Sequence, residues 1–126
     1  MEQLTIKELK MYLDTGLKVK TKHDIETLSM CNSSGVYLEY KYDLYSLDDI
    51  KPLLKPLSDY KDINGEAMRE LDCVRNIKVN INNIARGYYD WNECTHASVE
   101  FMAQNHIDFQ DLISRGLAIN LNELKQ

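Results

Sequence analysis

The amino-acid sequence predicts an α+β fold: a small antiparallel sheet, arranged as a meander, packed with three to four helices. Three observations predict it. Segments alternating with a period of two follow one another between residues 17 and 45 with only short turns between them. Segments with helical spacing and capping residues open the chain and fill its second half. No internal repeat, low-complexity tract or linker interrupts the 126 residues, so 1–126 is expected to be a single domain.

The first helix is signalled by Thr5 and Glu8, a T-x-x-E capping box, with Leu4 and Leu9 at the two positions of a hydrophobic staple. Ile6, Leu9 and Leu13 share one helical face, and Gly16 supplies a left-handed C-terminal cap. In LKVKTK, Leu17, Val19 and Thr21 alternate with Lys18, Lys20 and Lys22, which predicts a strand with one lysine face. Lys22-His23-Asp24 reads as a turn, Ile25 to Cys31 as the return strand, and Asn32-Ser33-Ser34-Gly35 as the next turn. VYLEYKYDLY then reads as one strand. It places Val36, Leu38, Tyr40, Tyr42 and Leu44 on one face, and Tyr37, Glu39, Lys41, Asp43 and Tyr45 on the other. The lysines of the first strand are expected to pair with Glu39 and Asp43.

Ser46 and Asp49 mark a short helix in SLDDI. Pro52 and Pro56 follow, which makes KPLLKPLSD a rigid connector with Leu53, Leu54 and Leu57 facing the core. Glu66 to Asn76 is expected to be helical, with Met68, Leu71 and Val74 inward. Over residues 77–84 two periods compete. Ile77, Val79 and Ile81 alternate like a short strand, while Leu71, Val74, Ile77 and Ile81 also fit a continuing helix. Thr95 caps a helix to about Asn105 with Val99, Met102 and Ala103 inward. Asp108 is expected to cap another, with Leu112 and Ile113 inward and Gly116 as terminator, before a strand through Leu117, Ile119 and Leu121.

Charge narrows the function. Fifteen Lys and Arg against twenty Asp and Glu give −5, split as −2 over residues 1–63 and −3 over 64–126. Neither half offers the basic stripe that phosphate binding requires, so direct sequence-specific nucleic-acid binding is not expected. No run approaches the ~18 apolar residues of a membrane span. MEQLTIKELKMYLD carries charges throughout and no apolar leader stretch, so a cytoplasmic location is expected. Cys31, Cys73 and Cys94 are odd in number and contain no C-x-x-C pair, unlike a disulfide framework.

Sites of chemistry are scarce. His106, Asp108 and Asp111 in NHIDFQD are explained by two helix ends, and a metal would need Cys94 or His96 in addition. DYKDINGE puts Asp62, Asn64 and Gly65 on calcium-loop positions, but Tyr60 and Leu71 stand where its end carboxylates belong. Cys94 and His96 lie two apart, a poor spacing for a thiolate–imidazole pair on a helix. No G-x-S-x-G, P-loop or glycine-rich phosphate cradle is present. No catalytic residue, metal or cofactor is therefore expected. The best binding cluster is RGYYDW, because Arg, Tyr and Trp dominate interface hot spots. Its candidates are Arg86, Tyr88, Tyr89 and Trp91, although for Trp91 taken alone the reading as a core anchor is preferred. Tyr37 and Tyr45 on the outer sheet face are a second candidate surface.

Two segments carry a resemblance. KPLLKPLSDY (Lys51 to Tyr60) and NHIDFQDLISRGLAINLN (Asn105 to Asn122) resemble a group of small phage and prophage proteins of Bacteroidetes. Members share a KP-L-L-(K/R)-PLSD segment and a C-terminal H-(F/I)-D…LI-x-x-GLAI-(D/N) segment, together roughly a quarter of this chain. Asn120 stands where many relatives carry Asp, and no catalytic residue comes with the resemblance. It implies a phage-encoded protein acting in the host bacterial cell. Small, acidic, single-domain proteins of that origin are similar in type to inhibitors of host defence, anti-CRISPR proteins among them. The implied partner is a protein: an RNA-guided CRISPR effector nuclease (type VI, RNA-targeting), with or without its guide RNA. The net −5 would aid encounter with its positive groove. The alternative is a phage assembly or regulatory protein that self-associates through a sheet edge, so monomer and small homo-oligomer both stay open. A metal-dependent or cysteine enzyme using His106, Asp108, Cys94 or His96 is the third reading.

Overall fold

A computed structural model describes residues 3–39 and 44–124. Its N-terminal half builds a sheet, and its C-terminal half builds most of the helical layer. The first helix, α1 (Ile6–Lys10), begins as expected: the Thr5 hydroxyl accepts from the Glu8 N–H, and the Glu8 carboxylate accepts from the Thr5 N–H. It is short, and tight turns carry the chain on to Gly16 at φ +73°.

Six strands follow: β1 (Lys18–Lys20), β2 (Ile25–Asn32), β3 (Gly35–Leu38), β4 (Leu44–Tyr45), β5 (Lys51–Leu54) and β6 (Ile119–Asn120). Their order in the sheet is β4-β3-β2-β1-β5-β6. The expected antiparallel meander is its first part; β5 adds antiparallel to β1, and β6 parallel to β5. The β1–β2 turn is wound around Thr21, whose hydroxyl accepts from the His23 and Asp24 N–H groups. Gly35 sits at φ +144°, where an added Cβ would meet the Tyr45 carbonyl oxygen at 2.6 Å, so only glycine fits beneath β4.

Several expectations change here. The expected single strand is instead two antiparallel ones, β3 and β4: Val36 faces Tyr45 and Tyr37 faces Leu44. Each such pair joins an even to an odd position, so the reversal swaps the alternation. Tyr45 joins Val36 on the core side and Tyr37 is left on the outer side; positions 40–43 lie outside the described residues. The lysines of β1 do not face β3, because β2 lies between, and Lys18 donates to Thr27 instead. KPLL is strand β5 in the interior of the sheet, not a connector. Pro52 lies opposite Val19, and Leu53 and Leu54 are both buried, as expected of a strand covered on both faces.

Glu66 to Asn76 is not one helix. It splits into α2 (Glu66–Arg69) and the start of α3 (Arg75–Ala85), and Val74 at the break is 65% exposed rather than inward. Residues 77–84 are helical, against the strand reading: Ile77, Ile81 and Ile84 recur on one face and pack on the core. The last helix, α4 (His96–Gln104), is capped by Thr95 and buries Val99, Met102 and Ala103 as the spacing implies. No helix starts at Asp108; residues 110–117 form turns, with Asp111 at φ +63° and Gly116 at φ +76°. The strand expected over 117–121 shrinks to β6.

The core lies between sheet and helices. Leu9, Tyr12, Leu17, Val19, Val36, Leu54, Met68, Ile81, Met102, Ile107 and Leu112 are wholly buried. Two long-range contacts tie the N-terminal segment to the C-terminal loop. The Tyr12 hydroxyl donates to the Ile107 carbonyl at 2.7 Å, and Arg115 pairs with Glu8 at 2.7 Å.

Two tests follow from this arrangement. On the outer face Lys20 lies directly opposite Lys51, and like charges so placed destabilise a sheet. Lys51→Glu is therefore expected to raise stability by about 0.5 kcal/mol, read as a rise of about 2 °C in Tm. For Glu8, burial alone would raise the carboxyl pKa, but hydrogen bonds from Arg115 and Thr5 outweigh it and hold the group below its usual 4.5. A lowered folded value means stabilisation that is complete above the unfolded value and lost as pH falls through the folded one. Glu8→Gln is expected to cost about 1 kcal/mol at neutral pH. In denaturant titrations the gap to the wild type is expected to close below the ordinary carboxylate range.

Candidate functional site

RGYYDW begins as a helix end. Arg86 is the C-cap of α3, and Gly87 follows at φ +81°. The Gly87 N–H donates to the Ile84 carbonyl and the Tyr88 N–H to the Asn83 carbonyl. This pair of bonds is a Schellman motif, which needs the left-handed conformation that glycine adopts freely. Arg86 Nε donates to the Lys61 carbonyl at 2.9 Å, and the side chain of neighbouring Asn82 donates to the carbonyls of Tyr60 and Lys61. The end of α3 is thus fixed to the segment before α2.

The four candidate residues divide. Arg86 is exposed, and Tyr88 is 67% exposed. Tyr89 turns inward, packs on the core and donates to the Asn80 side-chain oxygen at 2.7 Å. Asn80 donates on to the Ser98 hydroxyl, itself beside Thr95 Oγ1 at 2.9 Å, so Tyr89 ends a polar chain joining α3 to α4. Trp91 is also half-buried, its ring edge-on to Phe109 with centroids 5.1 Å apart; Phe109 in turn meets Tyr12 at 5.5 Å. Asp90 and Glu93 form a second capping box that fixes the turn carrying Trp91. Tyr88 is thus the aromatic ring presented outward, and Arg86 stands beside it on the same cap. The second candidate surface is divided as well, since Tyr37 is on the outer face and Tyr45 packs against the core.

The residues weighed for chemistry are held by the backbone. His106, at φ +58°, places Nε2 at 2.8 Å from the Thr15 carbonyl. Asp108 is buried, and its two carboxylate oxygens accept from the Leu112 and Ile113 N–H groups at 2.8 and 2.9 Å. Burial raises its pKa despite those two bonds. Cys94 Sγ donates to the Trp91 carbonyl, and burial pushes its thiol up, away from a reactive thiolate. His96 is exposed, 3.5 Å from Glu100. Among the described residues no three His, Cys, Asp or Glu side chains converge on a point able to hold a metal ion.

Sequence reasoning did not find the clefts. One of them, about 660 Å³, lies between Lys55 and Tyr60, α2, and Leu121 and Asn122, with Asp59, Glu66 and Glu70 on its walls. Asp59 accepts from the Asn122 side chain there, and burial with the nearby Asp59 and Glu70 charges pushes Tyr60 up to about 12. No pattern in the sequence brings residues 59, 70 and 122 together.

Substitutions separate the anchors from the outward side chain. Tyr88→Ala is expected to change stability by no more than about 0.5 kcal/mol. Tyr89→Phe is expected to cost about 1 kcal/mol through Asn80, and Trp91→Ala about 3 kcal/mol through Phe109. Asp108→Ala strands two backbone donors, one of them buried, and is expected to cost about 3 kcal/mol, with Asp108→Asn milder because its amide oxygen still accepts. Chemical denaturation of the five proteins checks all four values. No family model, curated protein or solved structure matches the chain, so its candidate site rests on its own residues.

Proposed function

We propose that the chain is a phage-encoded, non-catalytic inhibitor that binds a host defence protein, an RNA-guided CRISPR effector nuclease of the RNA-targeting kind. The observation that carries the reading is Tyr88, 67% exposed on a backbone locked by the Schellman cap, with exposed Arg86 beside it. A large aromatic side chain held on a fixed cap enters an interface with little entropy left to lose. The resemblance of residues 51–60 and 105–122 to phage proteins supports the phage origin. The net charge of −5 supports encounter with a basic, RNA-binding partner. No described helix is long and apolar enough to cross a membrane. A second reading, self-association as an assembly or regulatory protein, is favoured by one observation: β4 ends the sheet order and offers an edge to another copy.

The deciding experiment is a pull-down of RNA-targeting CRISPR effectors, with and without guide RNA, by the wild type and by Tyr88→Ala. Binding is expected for the wild type, and Tyr88→Ala is expected to weaken it by about 2 kcal/mol, roughly thirtyfold, with folding intact. No binding by the wild type and no protection of phage would overturn the inhibitor reading. A discrete dimer or ring in light scattering would favour the second.

A further inference from the structure

The outer face of the sheet is charged against the sign of the chain. Cross-strand pairing puts Lys18 opposite Thr27, and Lys20 opposite both Ile25 and Lys51, so all five side chains share the side away from Val19 and the core. Exposed Lys22 follows in the turn with exposed Asp24, and exposed Glu39 lies past the end of β3, on the far side of β2 from the lysines. On a chain of net −5 this is a local reversal. The opposed Lys20 and Lys51 repel each other, and Lys51 has no ion-pair partner among the described residues.

The same face carries an apolar row. Beyond the irregularity at Ser29, Met30 faces Tyr37 and Tyr37 faces Leu44, a line across three strands that ends at the outermost strand β4. Ile25, Met30 and Leu44 are each 47–48% exposed, three of the five large apolar side chains in the described structure left so open. Lysines beside aliphatic side chains need a partner supplying carboxylates and apolar side chains together. Nucleic acid would satisfy the lysines but offers aliphatic groups little, and among the described residues Tyr37 is the one aromatic on this face for stacking.

We propose that this outer face docks an extended acidic and apolar segment of a partner protein, with carboxylates over Lys18, Lys20 and Lys51 and apolar side chains over Met30, Tyr37 and Leu44. The surface shares no residue with the Arg86–Tyr88 cap and stands whether or not the partner is a nuclease.

The test uses the intact chain and a short fluorescein-labelled peptide with a Glu-rich half followed by a Leu-rich half, read by fluorescence anisotropy. A Lys–Leu peptide of the same length and a short oligouridine RNA serve as competitors. The Glu–Leu peptide is expected to bind, to weaken as salt rises, and to lose about tenfold in affinity with Lys51→Glu and with Met30→Ser. Lys51→Glu gains an ion pair with Lys20, so it keeps the fold, and thermal unfolding checks both variants. Absence of binding, equal binding of the Lys–Leu peptide, indifference to both substitutions, or displacement by oligouridine at lower concentration would each overturn the proposal. A wild-type dimer in light scattering that Met30→Ser dissolves would overturn it in favour of a second copy.

Discussion

The structure depends on the short stretch from His106 to Asp108 more than on any other. The Asp108 N–H donates to the Lys55 carbonyl and the Lys55 N–H to the His106 carbonyl, extending the line of β5. The Ile107 carbonyl accepts from Tyr12, and the Ile107 N–H donates back to Met102 in α4. The Asp108 carboxylate then closes the following loop through Leu112 and Ile113. Helix, sheet and N-terminal segment meet at three consecutive residues. Burying a carboxylate there costs free energy unless its oxygens are paired, and both are paired with backbone donors. The loop is therefore shaped around the charge, and the left-handed His106 and Asp111 are conformations that this shape imposes.

Features governed by neighbours in sequence were legible before the structure. Thr5 with Glu8, Ser46, Thr95 and the turn at Asn32–Gly35 all act locally, and each appears where the residues place it. Errors arose where two local patterns tie and a distant contact decides. Ile77, Val79 and Ile81 satisfy a period of two as well as a helix; packing of Ile81 and Ile84 under α4 and Leu57–Tyr60 selects the helix. KPLL reads as a proline-bounded connector until β1 and β6 arrive on either side of it. Asp108 has the residue type of an N-cap, but its bonds reach four and five residues on rather than two and three, closing a loop instead of starting a helix.

The candidate site was half legible for a related reason. Composition alone marked Arg86 to Trp91, yet composition does not say which ring points outward. That choice is made by Asn80 and Phe109, both outside the RGYYDW stretch, which claim Tyr89 and Trp91 and leave Tyr88 in solvent. The Arg86–Gly87 step was itself a readable helix terminator, and it would have placed Tyr88 just beyond a cap. For Tyr37 and Tyr45, a strand and a hairpin give the same alternation in the sequence. The antiparallel pairing of Val36 with Tyr45 separates them, and no glycine or proline stands between Leu38 and Leu44 in the sequence to announce it.

The clamp between the N-terminal segment and residues 106–115 also sets an order of events in folding. Tyr12 bonds to Ile107 across 95 positions, and Glu8 to Arg115 across 107. A five-residue helix such as α1 has no stability of its own before those contacts exist. The β1–β2–β3 hairpins and the α3–α4 pair close much shorter loops, so chain entropy favours them first. Chain entropy therefore favours closing the two local halves before the long loops that bring Tyr12 to Ile107 and Glu8 to Arg115.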